Sequence, residues 1–121
     1  MSLARKFLLP SKACVRSRPR QPSVYRVPRE LPAGQAATYT DPGDQQPDIV
    51  IRQSDGSLAA FSAICTHAGC TVGYQDGQIV CPCHGGVYNA RTGAVEGGPP
   101  PSGLDVRHVI ERGGSIYALP A

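Results

Sequence analysis

The sequence predicts an all-β protein, and three observations carry that expectation. Short apolar runs alternate with turn signals at the intervals of antiparallel sheets, no stretch has the apolar period of a long helix, and the 14 Gly and 12 Pro punctuate the runs instead of forming blocks. At 121 residues with 40% apolar content, the chain is long enough for one domain with a modest core and too short for two. One Met, two Phe and no Trp leave the core to Val, Ile, Leu, Ala and Tyr, so a cross-linking device is expected and the five cysteines become informative.

Taken in order, Val24 to Val27 is a first short strand, and Ala36 to Thr40 a second, closed by the turn chemistry of Asp41-Pro42-Gly43-Asp44. Ile49 to Arg52 and Leu58 to Ala63 flank Ser54-Asp55-Gly56-Ser57 and form a hairpin that delivers the chain to Cys65. Thr71 to Tyr74 and Gln78 to Val80 flank Gln75-Asp76-Gly77, a second hairpin that ends directly at Cys81. Two strand ends therefore converge on the cysteines. Toward the C-terminus, Leu104, Val106, His108 and Ile110 share one face of a strand, Gly113-Gly114 turns, and Ser115 to Leu119 returns. On that face His108 is expected to be a half-buried structural residue. No internal repeat stands out.

The net charge of +3 is misleading. Residues 1–29 hold eight basic side chains and no acidic one, whereas residues 30–121 hold four basic and nine acidic, a net charge of −5. The basic residues of the tail are not interleaved with aromatic side chains on which bases would stack, which argues against nucleic-acid binding. Residues 1–22 are expected to be a disordered basic tail and residues 23–121 the domain. Within the tail, Phe7-Leu8-Leu9 is stopped by Pro10, and no apolar run nears the roughly 18 residues that span a bilayer, so no transmembrane segment is expected. Arg5 to Leu9 has the outline of a twin-arginine export signal without its apolar region or cleavage site. Cys14 is read as incidental.

The chemistry lies in Cys65-Thr66-His67-Ala68-Gly69-Cys70 and Cys81-Pro82-Cys83-His84-Gly85, each of which offers two thiols and one imidazole from a short loop. Thiolates and imidazoles presented from two loops joined by a hairpin can wrap a soft metal centre. A structural zinc site with two Cys and two His, stabilising a binding module, is one reading. Its spacing is unfavourable: zinc ribbons pair cysteines two to four residues apart, whereas here Cys-x-His is combined with Cys-x-x-His, and two further cysteines stay unexplained.

At these residues the sequence resembles the Rieske iron–sulfur family, in its subclass with a cysteine bridge between the cluster loops. Gly86-Val87-Tyr88 and Gly98-Pro99-Pro100-Pro101 extend the likeness to the family's tyrosine position and its proline-rich cover, and it spans roughly residues 24–119. The resemblance implies an antiparallel β-sandwich with a small cluster-binding subdomain, its cluster loops at about 64–88 and its proline-rich loop at 97–101. It implies one 2Fe-2S cluster, with Cys65 and Cys81 on the inner iron and His67 and His84 on the outer, more exposed one. It also implies a Cys70–Cys83 disulfide, and hence maturation in an oxidising compartment or on an exported face, periplasmic or on the outer side of the cytoplasmic membrane. Two ferric ions, two sulfides, two thiolates and two neutral imidazoles sum to zero charge, where four thiolates would leave two negative charges. The potential therefore lies above that of plant-type ferredoxins, and reduction tightens the hold of the exposed imidazoles on their protons.

Two neighbours are expected to tune that potential. Tyr88 matches the position whose phenol donates to a ligand sulfur, its alternative being an ordinary core tyrosine. At Gly86 the chain departs from members that carry serine there, donating to a bridging sulfide. The loss of one neutral hydrogen bond of about 1 kcal/mol corresponds to roughly 40 to 60 mV, a lower potential that suits menaquinol chains. Pro99 to Pro101 is read as a rigid, donor-poor wall over the cluster in preference to a simple linker.

The function expected from the resemblance is one-electron transfer as the iron–sulfur subunit or domain of a quinol–cytochrome c reductase-like chain, with cytochrome partners and quinol meeting His67 and His84. The chain would be an electron-transfer component of an oxidoreductase and not a stand-alone enzyme. The alternatives are a Rieske subunit of a peripheral, arsenite-oxidase-type oxidoreductase, favoured by the lack of an anchor, and a Rieske ferredoxin of an oxygenase system, disfavoured because such members generally lack the bridging pair.

Overall fold

A computed structural model describes residues 25–27 and 30–120. The basic tail, its export-signal outline and Cys14 lie outside the described residues. Eleven strands and no helix occur among them: β1 (Tyr25–Arg26), β2 (Ala36–Thr40), β3 (Pro47–Arg52), β4 (Leu58–Ser62), β5 (Gly73–Gln75), β6 (Gln78–Val80), β7 (Val87–Asn89), β8 (Val95–Gly97), β9 (Val106–Arg107), β10 (Val109–Arg112) and β11 (Ser115–Ala118). No helix of the described residues is long and apolar enough to cross a membrane.

All pairing is antiparallel and falls into three sheets, ordered β1-β11-β10, β2-β3-β4-β9 and β5-β6-β7-β8. β3 explains how they stack. Its run Asp48-Ile49-Val50-Ile51 is buried without a break, which a strand needs only if both of its faces are covered. Successive side chains point to opposite faces, and they join different cores. Ile49 and Ile51 pack with Phe61, Ala63, Cys65, Val72, Ile79, Cys81, Tyr88, Ala90 and Leu104, whereas Val50 packs with Val27, Leu31, Ala37, Tyr39, Ala60, Ile116 and Ala118. The β2-β3-β4-β9 sheet is thus the middle layer, with the β1-β11-β10 sheet on one face and the β5-β8 sheet on the other. Each Ile, Val or Phe fully buried there is worth about 1.5–3 kcal/mol. Arg52, ending β3, adds a two-pronged pair to Glu111 of β10 at 2.7 and 2.6 Å and a bond to the Leu31 carbonyl at 2.9 Å.

The β5-β6 turn follows its sequence closely. Asp76 and Gly77 both have positive φ, 50° and 81°, the conformation that lets a two-residue turn match the twist of its strands. Two expectations need correction. Leu104 to Ile110 does not form one strand with a single buried face: β9 pairs with β4 and β10 pairs with β11, so the chain changes sheet at His108. Leu104 is buried, but Val106 and His108 are exposed and Ile110 borders on it, so His108 is not half-buried. The strands β7 and β8 had no counterpart in the sequence reading.

Candidate metal centre

The two cysteine boxes fold into loops of the same shape. In the first, the Cys65 amide donates to the Cys70 carbonyl at 2.7 Å and the Gly69 amide to the Cys65 carbonyl at 3.0 Å. In the second, the Cys81 amide donates to the Gly86 carbonyl at 2.8 Å and the Gly85 amide to the Cys81 carbonyl at 3.0 Å. Gly69 and Gly85 sit at equivalent places with φ of 77° and 75°, which a residue with a side chain rarely adopts. The loops are therefore structural twins related through Cys65 and Cys81, a local repeat that the sequence reading did not find. Its signal is Cys-x-x-x-Gly in each box. The first loop is closed behind Cys65 by the Ile64–Thr71 bridge and a Val72 to Ala63 bond of 2.8 Å. The second hangs between β6 and β7, whose Ile79 and Tyr88 face each other across the ladder.

This folding sorts the candidate ligands into two pairs. Cys65 and Cys81 are reduced, at 3% and 1% exposure, and their side chains lie within hydrogen-bonding reach of each other. His67 and His84 are exposed, with ring centroids 4.9 Å apart and planes at 84°. Cys70 and Cys83 form a disulfide across the loop tips, with Cα atoms 6.4 Å apart. Among the described residues, Cys70, Cys81 and Cys83 bring their sulfurs within 4.8 Å of one another. With two of the three oxidised to a disulfide, that triplet cannot supply three thiolates and is not itself a metal site. The bridge joins cysteines 13 positions apart, a closure worth about 3 kcal/mol in the chain-entropy account.

Cys65 is prepared for anionic sulfur. Burial pushes the Cys65 thiol up, but hydrogen bonds from the Tyr88 hydroxyl, the Cys81 side chain and the amides of His67 and Ala68 outweigh it and bring the thiol down to about 7. Tyr88 is fully buried, and its phenol is pushed up, first by burial and then by its bond to Cys65. Its hydroxyl lies 3.3 Å from Cys65 Sγ and 3.1 Å from both the amide and Oγ1 of Thr66. The proton count is tight. Thr66 Oγ1 spends its own hydrogen on the Ser102 carbonyl at 2.7 Å, and the Thr66 amide donates to the phenol oxygen, so the single Tyr88 hydrogen divides between Cys65 Sγ and Thr66 Oγ1. Thr66 was absent from the sequence reading, and nothing but its place inside the first box pointed to it.

The proline-rich segment closes the arrangement. Of Gly98, Pro99, Pro100 and Pro101 only Pro100 is buried. A Cβ placed on Gly86 would stand 2.6 Å from Pro100 Cγ and 3.0 Å from its Cδ, and one placed on Gly98 would stand 2.9 Å from the Gly86 Cα and 3.0 Å from the Gly85 carbonyl. Gly86 is thus more than a position lacking a donor: the Pro100 ring fills the space a side chain there would need. The proline-rich segment is fastened to the first loop by the Thr66–Ser102 bond and seated on the second by Gly86, Gly98 and Pro100.

The donor set fits a centre of two metals better than one. A single tetrahedral ion draws four donors into one small cage, whereas here two soft, buried sulfurs and two exposed imidazoles form separate pairs, one suited to each metal of a binuclear unit.

Residues 22–110 match the family model described as Rieske [2Fe-2S] domain. The chain is 34% identical over 93 residues to the chloroplastic cytochrome b6-f complex iron-sulfur subunit 1 of Nicotiana tabacum, covering 74% of this chain and 40% of that protein. It is 36% identical over 89 residues to the cytochrome b6-f complex iron-sulfur subunit of Chlorobaculum thiosulfatiphilum, covering 72% and 47%. It therefore spans less than half the length of these curated relatives. Among solved structures, the plasma membrane Rieske protein PetC3 of Synechocystis is similar with a TM-score of 0.62 and 31% identity over 71% of this chain and 86% of that one. The ferredoxin of carbazole 1,9a-dioxygenase from Nocardioides aromaticivorans has a TM-score of 0.66 at 26% identity, over 82% and 99%.

Proposed function

Because the chain belongs to the Rieske [2Fe-2S] domain family, we propose that residues 23–121 form a one-electron carrier in which Cys65 and Cys81 hold one iron of the cluster and His67 and His84 the other. The observation that carries this assignment is the buried pair of reduced cysteines beside an exposed pair of imidazoles, clamped by the Cys70–Cys83 bridge. When bound, the cluster supplies a one-electron couple whose potential is raised by its two neutral ligands. Cys65 and Cys81, with Tyr88 and Pro100 behind them, keep water from the sulfur side. His67 and His84 present their rings to solvent, where each can hold a proton and meet an incoming hydroxyl.

The domain serves as the iron–sulfur subunit, or part of one, in a quinol-oxidising cytochrome complex of the b6-f or quinol–cytochrome c reductase kind, with cytochromes as redox partners and quinol as donor. Support comes from the relatives named for the b6-f complex and from the bridge, which sets the chain apart from ferredoxins of oxygenase systems. Gly86, which has no side chain to donate a hydrogen bond, favours a menaquinol-type donor. The disulfide supports a location on an exported, oxidising face, reached through an anchor or a partner.

Iron and acid-labile sulfide analysis with low-temperature electron paramagnetic resonance of the reduced chain tests the centre. Two irons, two sulfides and a cluster signal lost on replacing any of the four ligands are expected; zinc without iron refutes the assignment. The donor is tested by mixing the oxidised holo-chain with menaquinol and with the partner complex. Cluster reduction is expected, and a holo-chain reduced only by a ferredoxin reductase would instead indicate the oxygenase role.

A further inference from the structure

A second cluster of ionisable groups lies in the middle layer, outside both cysteine boxes. Asp41 follows β2 and Asp48 stands on β3, opposite Tyr39, and both aspartates have 0% exposure. Their carboxyl groups come within hydrogen-bonding reach of each other. A single guanidinium serves both: Arg107 Nε, from β9, is 3.3 Å from Asp48 Oδ1 and 3.7 Å from Asp41 Oδ2, while its Nη2 is 3.6 Å from the half-exposed Asp44. The Gly43 amide also donates to Asp41 Oδ1 at 2.7 Å. The Tyr39 phenol stands beside Asp48. β4, paired with β3 on the other side, adds no ionisable group, since its residues are Leu58, Ala59, Ala60, Phe61 and Ser62.

Two ionised carboxylates in contact have no hydrogen to share and repel each other. One proton resolves both problems, because it turns one carboxyl into a donor to the other and removes the repulsion between them. We propose that Asp41 and Asp48 form a one-proton site, a buried acid pair in which one carboxyl donates to the other between the end of β2 and β3, beside Arg107 of β9. Burial first, then the hydrogen bond and charge of Asp41, push Asp48 up to about 7 against the pull of Arg107, so the proton is exchangeable under physiological conditions. The Tyr39 phenol is pushed up too, by burial and then by Asp48, and stays neutral.

The direction of the pH effect follows. A carboxyl that holds its proton more tightly in the folded chain than in the unfolded one favours folding at acid pH. That advantage shrinks as pH rises from the ordinary carboxylate range, and it is gone above about 7.

The test uses the oxidised holo-chain labelled with carbon-13 at aspartate carboxyls and titrated between about pH 4.5 and 8.5. One carboxyl that titrates near neutrality, assigned to Asp48 or Asp41, is the expected result. If every aspartate carboxyl is already ionised at pH 5.5 and stays so, the proposal is overturned. Asp48→Asn mimics the protonated state. It should remove the neutral titration and flatten the change in melting temperature between pH 5 and 8 relative to the parent; an unchanged dependence would also overturn the proposal. Should that variant not fold, the spectrum of the parent chain decides alone.

Discussion

Gly86→Ser separates two accounts of the cover over the centre. If Gly86 mattered only as a missing hydrogen-bond donor, serine would add one neutral bond of about 1 kcal/mol to the reduced state and raise the potential by roughly 40 to 60 mV. The structure interposes a cost. Ordinary van der Waals contact needs about 3.5 Å between carbons, and a Cβ at 86 would be 2.6 Å from Pro100 Cγ and 3.0 Å from Cδ. The overlap approaches 1 Å, in the range where overpacking costs about 1–3 kcal/mol or displaces the neighbour. Gly86 does not have positive φ, so the backbone itself tolerates serine and Pro100 is the obstacle. The single variant should therefore lose stability and speed hydrogen exchange at the Gly98 and Ser102 amides that flank the three prolines, with a potential that reflects a displaced proline segment. Pro100→Ala removes the two atoms in conflict. Gly86→Ser/Pro100→Ala should recover most of the lost stability and show the expected rise in potential, so the two changes are non-additive. Thermal unfolding and voltammetry on the purified holo-domain, run as a double-mutant cycle, provide the readouts. A single Gly86→Ser as stable as the parent, with the full rise in potential and no added exchange at the Gly98 and Ser102 amides, would refute the steric reasoning.

Tyr88→Phe removes the hydroxyl 3.3 Å from Cys65 Sγ and should lower the potential by about 40 to 60 mV in voltammetry. It should also cost about 1–3 kcal/mol in denaturant unfolding, because the Thr66 amide loses its acceptor. Thr66→Val breaks the 2.7 Å bond to Ser102 and frees the Tyr88 hydrogen for the sulfur alone, so exchange should rise at the Ser102 amide while the potential rises slightly. A potential that falls would show that Thr66 does not compete for that hydrogen. Cys70→Ser/Cys83→Ser should cost about 3 kcal/mol, or more if the loops no longer hold the centre, as read by urea midpoint and iron retention.

The sequence was most informative where chemistry repeats locally. β2, β6 and the hairpin joining β3 to β4 were legible because alternation or a fully apolar run lies between turn residues, and Asp76-Gly77 needs no tertiary partner to form its turn. The cysteine and histidine boxes were legible because ligand types at fixed spacing survive without knowledge of the fold. β7 and β8 were not. They have three residues each, and Val95-Glu96-Gly97 carries little intrinsic strand signal. They are strands because β6 templates β7 and β7 templates β8, with a register irregularity at Val87/Tyr88 that no periodicity could reveal. The segment from Leu104 to Ile110 failed for a related reason. Its alternation is real, but the chain leaves one sheet for another at His108, so alternate residues meet solvent instead of a core.

Gly86 shows the same limit within the site. From sequence it is a vacancy, a place where a hydroxyl could stand; in the fold the vacancy is occupied by the ring of a residue 14 positions further on. Yet its place was readable in another way. Gly69 and Gly85 complete equivalent turns after Cys65 and Cys81, and the residues that follow them, Cys70 and Gly86, occupy matching corners. At one corner the side chain is spent on the disulfide, and at the other it is absent so that the cover can approach. The two loops share a backbone and divide the work: one supplies a covalent clamp, the other a steric seat. A substitution at Gly86 therefore acts on the cover before it acts on the electron.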